Sequence, residues 1–500
     1  MREKPVAVIG AGIGGLAAAL DLAAQGVDVV VIERAASAGG KLRPLEIAAH
    51  RLDAGPTVFT MKWVFESLFA DAGTAFEREV GVSPLDLLAR HAWPDGSRLD
   101  LFADIERSTD AIAHFAGPGE ARGFREFSSR AAAIYRTLEG PFIRSEQPTP
   151  ISLARGAGIS GLGDLWRISP FSTMWQALGQ HFRDPRLRQL FGRYATYNGS
   201  SPFLAPATLM LIAYVEQAGV WSIDGGMHVL ASSIERLATA RGARFRYGEG
   251  VARIVVRAGQ ASAVVLDGGE TLDVSAAIFN GDAAAIGAGM LGDDVRRSVP
   301  SISPSTRSLS AMTWSIVART NGFPLSRHNV FFSPDYAREF DDIFKHRRMP
   351  SAPTVYVCAQ DRDTSSPLAE GADERLLCLV NAPAYGDRPA KDTKEFELCE
   401  TRTFELMKQA GLSIDRITAA TVTLTPHEFN SAYPATGGAL YGQAAHGWQA
   451  SFSRPSAVTR TKGLYLAGGS VHPGAGVPMA ALSGRIAARR LMADRTSRRR

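Results

Sequence analysis

Cysteine is scarce in this 500-residue chain. Only Cys358, Cys378 and Cys399 occur, with no C-x-x-C pair and no zinc-type spacing. They read as ordinary thiols of a reducing compartment, not as a disulfide framework. The ten histidines include no H-E-x-x-H, so no metal is expected. No apolar run approaches the ~20 residues that cross a bilayer; "APATLMLIAYV" is too short. The first strand begins near Pro5, which leaves no room for a signal or transit peptide. A cytoplasmic protein, or one lying on a membrane without crossing it, is expected. No Ser/His/Asp or Cys/His constellation is legible.

Charge is nearly balanced, at net +5. The final sixteen residues hold seven arginines: Arg485, Arg489, Arg490, Arg495, Arg498, Arg499 and Arg500. Two readings stand for this tail, a solvated end or an anchor to anionic lipid headgroups. No nucleic-acid partner is expected, because no basic-aromatic recognition module accompanies the charge. Hydrophobic residues make up 45% and charged residues 21%, which describes a folded chain, and its length asks for two domains.

The informative part is glycine. "VAVIGAGIGGLAAALDLAAQGVDVVVIER" is a complete strand–turn–helix–strand unit. Gly10 permits the tight turn, Gly12 lets backbone approach a pyrophosphate, and Gly15 lets helix and strand pack closely. Gly14 belongs to the same loop. The helix N-terminus faces the phosphate charge, and Glu33, ending the second strand, stands where a carboxylate binds ribose hydroxyls. Just beyond lie Gly39-Gly40, Lys41 and Arg43, then "RLDAGPTVF" with Gly55. A nicotinamide-binding domain would go straight into its next helix. A glycine pair with cations suits a cofactor extending past the pyrophosphate, such as FAD. Lys41 and Arg43 are either cofactor contacts or plain surface charges.

A second glycine loop closes the chain at 463–488, "GLYLAGGSVHPGAGVPMAALSGRIAA". Gly468-Gly469 offers close backbone approach, and Pro478 suits the first turn of a helix that spans Val477 and Met479. Its N-terminus would stabilise negative charge on a reduced flavin. The two loops are expected to grip opposite ends of one FAD. Between them, "HAWPDGSRLDLF" reads as a hairpin turning at Asp95-Gly96. Residues 120–190 read as mostly helical, with Phe124, Phe127, Tyr135, Trp166, Phe171, Trp175 and Phe182 as tunnel or core. From Ser303 separate β runs succeed one another, with a helix at "EFELCETRTFELMKQAG". The expected division is a discontinuous FAD-binding domain at 1–75, 225–295 and 450–500, with a substrate and membrane-facing domain at 76–224 and 296–449.

The glycine fingerprint, the Gly39-Gly40-Lys41 turn, "DAGPT" at 53–57 and the "HPGAGVP" loop resemble the phytoene desaturase family, a branch of the amine-oxidase-like flavoproteins. The stretches 192–228, 308–333 and 353–362 resemble its hydroxyneurosporene (1-hydroxycarotenoid 3,4-) desaturase branch in phototrophic bacteria. The resemblance implies an α/β fold, a Rossmann-like FAD-binding domain interleaved with an α+β substrate domain. It implies a backbone contact to adenine at Val251, and a lipophilic carotenoid met at the membrane surface. It implies FAD-dependent 3,4-dehydrogenation of an acyclic 1-hydroxycarotenoid in carotenoid biosynthesis. Phytoene desaturase and carotenoid cis–trans isomerase are alternatives within the family, and amine or porphyrinogen oxidase beyond it. Residues 463–480 hold no cysteine, tryptophan or phenylalanine, unlike the attachment or cage residues usual in amine oxidases. A polyene offers few hydrogen-bond handles, so shape and apolar area must recognise it. Glu216, after the apolar run "LMLIAYV", is the candidate base or else a structural ion-pair partner. His472 and Asp224 are weaker candidates.

Overall fold

The first strand, Val6–Ile9, is buried on both faces and sits at the centre of a five-stranded parallel sheet. Such strands read as unbroken apolar runs because helices or sheets cover both sides. The computed structural model describes residues 4–146, 148–149, 172–362, 369, 371–389, 393–415 and 420–499. Trp166 and Phe171, and Arg500 of the tail, lie outside the described residues, as do the side chains of Arg498 and Arg499.

The sheet order is Leu464–Leu466, Ala276–Phe279, Val6–Ile9, Val29–Glu33, Arg244–Tyr247, with Val6 opposite both Val29 and Ala276. Three separated stretches of chain therefore build one sheet. Helices Ile13–Ala24, His228–Ala240 and Val477–Arg499 cover one face. On the other face an antiparallel meander, Val251–Arg257, Gln260–Leu266 and Thr271–Asp273, shares a core with Ile9, Val30 and Phe279.

A seven-stranded mixed sheet forms the second layer system, in the order Thr421–Leu424, Ser310–Ala318, Glu374–Ala382, Val355–Ala359, His328–Phe331, Leu87–Ala92, Arg98–Phe102. It is antiparallel throughout except where His328–Phe331 runs parallel to Leu87–Ala92. The expected hairpin is its edge, closed by Gly96 N–H donating to the Trp93 carbonyl. Helix Lys394–Gln409 packs on one face of the sheet through Leu406 and Met407, against Trp314.

Of the aromatics named for 120–190, those described, Phe124, Phe127, Tyr135, Trp175 and Phe182, belong to the core and not to a tunnel. Phe127, Phe182 and Phe191 stack with centroids 4.7 to 5.5 Å apart, on helices Pro118–Leu138 and Pro185–Gly192 and at the end of Met174–His181. Phe124, Tyr135 and Trp175 also miss the cavity lining. Helical spacing turns these rings toward neighbouring helices, where they exclude water from one another. Among the described residues no helix is long and apolar enough to cross a membrane, and no cluster of three metal-ligating side chains occurs.

Candidate active site

One cavity of about 1330 Å³ runs from the glycine loops to the cavity-facing side of the seven-stranded sheet. Ordinary single-ligand pockets hold about 300–1,000 Å³, so this one has room for two molecules side by side.

Its first end is built by close backbone packing. Gly10 has φ +101° and donates its N–H to the Ile32 carbonyl at 2.8 Å. Gly12 caps the helix that begins at Ile13. A Cβ on Gly15 would strike the Gly10 carbonyl, so Gly15 serves packing and does not line the cavity. Glu33 is held from two sides: Oε2 accepts from Ala11 N at 2.8 Å and Oε1 from Ala35 N at 2.9 Å. Gly39 and Gly40 adopt φ of +119° and +57°, a left-handed pair that favours glycine. Gly39 N donates to Ala11 O at 2.8 Å, and a Cβ on Gly40 would lie 3.0 Å from the Gly12 Cα. The pair is thus a lid of backbone laid on the first loop. Gly55 is likewise fixed, because a Cβ there would collide with the Lys41 carbonyl. Val251 lines the same end.

The second glycine loop stands beside the first. A Cβ on Gly14 would lie 3.0 Å from Gly468 N and 2.9 Å from the Ala480 carbonyl. The expectation that the loops grip opposite ends is corrected here. Only the strand Ala276–Phe279 separates Val6–Ile9 from Leu464–Leu466, so their carboxyl ends lie close together. Asn280 fills the gap: Nδ2 donates to Gly10 O at 3.4 Å, and Oδ1 would sit 2.7 Å from a Cβ on Gly14 and 3.2 Å from one on Gly468. Gly468 N donates to Ser483 Oγ at 2.6 Å. From there Gly469, Val477 and Met479 continue the lining.

Three cations, Lys41, Arg454 and Arg43, serve this end. Lys41 is accessible from the cavity yet surrounded by protein. Its Nζ donates to the Leu440 carbonyl at 2.6 Å and lies 5.0 Å from the Tyr433 ring centroid. Burial lowers its pKa to about 8 against the opposing charge of Asp282. Arg454, absent from the sequence reading, donates to the carbonyls of Tyr441 at 2.8 Å and Gly469 at 2.9 Å and to Asn198 Oδ1 at 2.9 Å. Burial lowers its pKa to about 10, again opposed by Asp282. Arg43 donates to Gly40 O at 3.0 Å and lines the cavity.

The middle of the cavity carries Glu216, 5% exposed on the helix Leu211–Gln217. Its carboxylate accepts from Tyr194 at 2.6 Å and Tyr197 at 3.0 Å. Burial raises its pKa, while those phenols and the Arg193 charge pull it down. Both readings of Glu216 therefore meet in one residue, which lines the cavity and is tied into a polar cluster. Arg193 also faces the rings of Tyr197 and Tyr356, 5.2 and 5.3 Å from their centroids. His472 and Asp224 do not line the cavity. His472 is buried and bonded to the Ser145 carbonyl at 3.0 Å, and Asp224 is exposed, packed on Gly81.

Apolar side chains make up much of the remaining wall. Leu138, Ile143, Leu209, Ile212, Val215 and Leu377 line it, with Phe142, Phe452 and Trp448 also present.

Comparison with known proteins agrees with this architecture. Residues 8–71 match the NAD(P)-binding Rossmann-like domain. Wild-type putrescine oxidase superposes with TM-score 0.58 at 15% identity over 99% of both chains. Cyclohexylamine oxidase from Brevibacterium oxydans superposes with TM-score 0.58 at 16% identity, over 99% of this chain and 100% of that one. Both are likenesses of fold. Sequence likeness goes further. Hydroxyneurosporene desaturase of Rubrivivax gelatinosus is 55% identical over 501 residues, covering 100% of this chain and 95% of that protein. That of Cereibacter sphaeroides is 46% identical over 99% of this chain and 98% of its own length. The 1-hydroxycarotenoid 3,4-desaturase of a Flavobacterium is 30% identical over 97% and 98%. Likeness at that level along the whole chain, on an amine-oxidase-like flavoprotein fold, means that this chain belongs to the hydroxyneurosporene desaturase family, oxidoreductases of carotenoid biosynthesis.

Proposed function

We propose that this chain binds one FAD non-covalently and introduces the 3,4 double bond into an acyclic 1-hydroxycarotenoid of the hydroxyneurosporene type. The substrate class follows the names of the relatives. The observation that carries the chemistry is one continuous cavity that joins the backbone donors and cations of the glycine loops to walls rich in apolar side chains. The residues fit FAD. At Gly12, Gly14, Gly40 and Gly468 a Cβ would stand 2.7 to 3.2 Å from neighbouring atoms, so the cradle is open only as glycine. Gly10, Gly12, Gly14, Gly39 and Gly40 would hold the pyrophosphate with Lys41, and Gly15 and Gly55 keep that cradle closed. Glu33 would take the adenosine ribose hydroxyls, and Val251 the adenine by its backbone. Gly468, Gly469, Val477 and Met479 would hold the flavin side.

Bound there, FAD supplies the two-electron acceptor for the hydride that leaves the substrate. The protein's part is to bury and orient the polyene along apolar walls and to keep water out. The reacting carbon is allylic, so the conjugated chain delocalises the positive charge left behind. Glu216 then accepts the proton from the adjacent carbon. A carboxylate whose pKa burial raises is a stronger base than an exposed one, which suits that task.

The glycine-loop stretches 1–75, 225–295 and 450–500 serve as the cofactor domain and the remainder as the substrate domain. The protein works peripherally, on the cytoplasmic face of the inner or intracytoplasmic membrane. The test is purified holoprotein with hydroxylated and non-hydroxylated acyclic carotenoids in lipid, followed by mass analysis. The expected product is two hydrogens lighter than the hydroxylated substrate. Acid precipitation should release the flavin into solution. Glu216→Gln should keep its flavin and lose roughly a hundredfold or more in kcat. An unchanged product mass, or stepwise conversion of phytoene without preference for the hydroxyl, overturns the assignment.

A further inference from the structure

The seven-stranded sheet presents part of one face to the cavity, and its register fixes which side chains stand there. Ala311 lies opposite Asn381 and Thr313 opposite Leu379. Tyr356 also lies opposite Leu379, on the other side of the same strand. Thr313, Tyr356, Leu377, Leu379 and Asn381 all line the cavity. Tyr336, on the short helix Tyr336–Phe340, lines it as well.

Two of these polar groups differ from the rest. Tyr356 shares its hydroxyl with Thr57 at 2.7 Å and with His328 Nδ1 at 2.7 Å. Tyr197 bonds Glu216. Asn381 donates to Glu339 Oε1 at 2.8 Å, and Glu339 Oε2 accepts from Thr354 N at 3.1 Å. That carboxylate, on the same helix as Tyr336, thus already has a partner on each oxygen. Among the described residues the Tyr336 hydroxyl and Thr313 Oγ1 are buried with no hydrogen-bond partner, and the two residues are only 6% and 2% exposed. A buried hydroxyl without a partner weakens a fold, and valine and phenylalanine would fill these places without that cost.

We propose that Thr313 and Tyr336 are specificity-determining residues that bind the hydroxyl of an otherwise apolar polyene substrate. The inference rests on the hydroxycarotenoid reading above and assigns that substrate's polar contact. An alcohol both donates and accepts one hydrogen bond, and so does each of these side chains. Each of the two hydroxyls can give one hydrogen bond to the alcohol oxygen or take one from the alcohol O–H. A hydrocarbon end group would leave both protein hydroxyls unpaired. A site built to bond a hydroxyl rejects the analogue lacking it far more strongly than an apolar pocket rejects a missing methylene.

The experiment measures kcat/KM of holoenzyme for a 1-hydroxylated acyclic carotenoid and for the hydrocarbon of the same chain length. It compares wild type, Thr313→Val, Tyr336→Phe and the double variant, with flavin content and melting temperature as checks of folding. The wild-type preference for the alcohol should fall at least tenfold in the double variant. The hydrocarbon rate should hold or rise, and Thr313→Ser should keep the preference. A preference kept within about twofold overturns the proposal and leaves the substrate reading standing. So does an equal loss on both substrates, which would mark a merely structural role. A wild type without any preference overturns the substrate reading itself. Should the double variant fail to fold, the same ratio in Tyr336→Phe alone decides.

Discussion

Lys41 shows how much a single side chain can say about a site. The Gly39-Gly40-Lys41 turn is legible in the sequence, because a glycine pair before a cation is a local pattern. What the turn does is not local: it delivers the ammonium between the Leu440 carbonyl and the Tyr433 ring, from the far end of the chain. With its pKa lowered to about 8, Lys41 is mostly protonated at neutral pH and mostly neutral above that value. An anionic phosphate beside it favours the ammonium and raises the pKa, so cofactor binding takes up a proton. Affinity is then highest below about 8 and falls as pH rises through it. Titrating apoprotein with FAD by flavin fluorescence at about pH 7 and about pH 9.5 should show wild type weakening roughly tenfold, one pKa unit of coupling. Lys41→Met should bind more weakly and show no such pH dependence. A wild-type affinity flat across that range would remove Lys41 from the phosphate site. Asn280 is the opposite case. It bridges both glycine loops, yet nothing in "AAIFNGD" distinguishes its asparagine from a turn residue. Thr313 and Tyr336 are equally silent in sequence, since an absent partner is a three-dimensional fact.

Elements with a period were readable, and elements defined by their neighbours were not. The strands Val6–Ile9 and Val29–Glu33 and the helix between them follow from apolar runs broken by glycine, as does the hairpin around Asp95-Gly96. The helical aromatics were legible as rings but not by destination, and they went to a core. The closing helix carries a further glycine whose reason is purely tertiary. A Cβ on Gly484 would collide with the Gly14 carbonyl and lie 3.2 Å from Ala18 N. The helices Ile13–Ala24 and Val477–Arg499 therefore cross backbone to backbone at the point where their amino ends meet the cavity. Gly484→Ala should force them apart. Overpacking of this kind costs about 1–3 kcal/mol. A lower melting temperature and weakened flavin retention are expected together, because both glycine loops ride on these helices. Ala18→Ser, on the same crossing but without the backbone collision, should be milder. Full flavin occupancy and an unchanged melting temperature in Gly484→Ala would mean that the helices are not held at this distance.

At the scale of the whole molecule, the structure redistributes the charge that the sequence placed in the tail. Arg485 does not belong to an anchor: it is buried, pairs with Asp21 at 3.0 Å and with Asp71, and donates to Ser67 Oγ at 2.9 Å. Arg490 pairs with Asp494 at 3.2 Å and with Glu146 at 3.9 Å. Two of the seven arginines thus hold the closing helix to the body. A different surface suits an apolar bilayer better. Trp448 is 37% exposed, lines the cavity and meets Phe452 edge-on at 6.5 Å between centroids. Leu204 is 47% exposed, and its carbonyl accepts from Gly447 N at 2.9 Å, which places it beside that tryptophan. A large exposed indole continuous with a cavity rich in apolar side chains is the arrangement expected where a lipophilic substrate leaves the membrane. Leu204→Ser with Trp448→Ser should weaken binding to uncharged phosphatidylcholine vesicles about tenfold or more, since each side chain contributes on the order of 2 kcal/mol when buried in lipid. That loss should be insensitive to salt. Removal of residues 495–500 should instead weaken only binding to anionic vesicles, and only at low ionic strength, as charges screened over about 10 Å require. Both variants act outside the glycine cradle, so flavin content serves as the check on folding. If the double serine variant sediments with vesicles as wild type does and turns over vesicle-borne carotenoid at the same rate, the mouth lined by Trp448 is not where the protein meets the membrane.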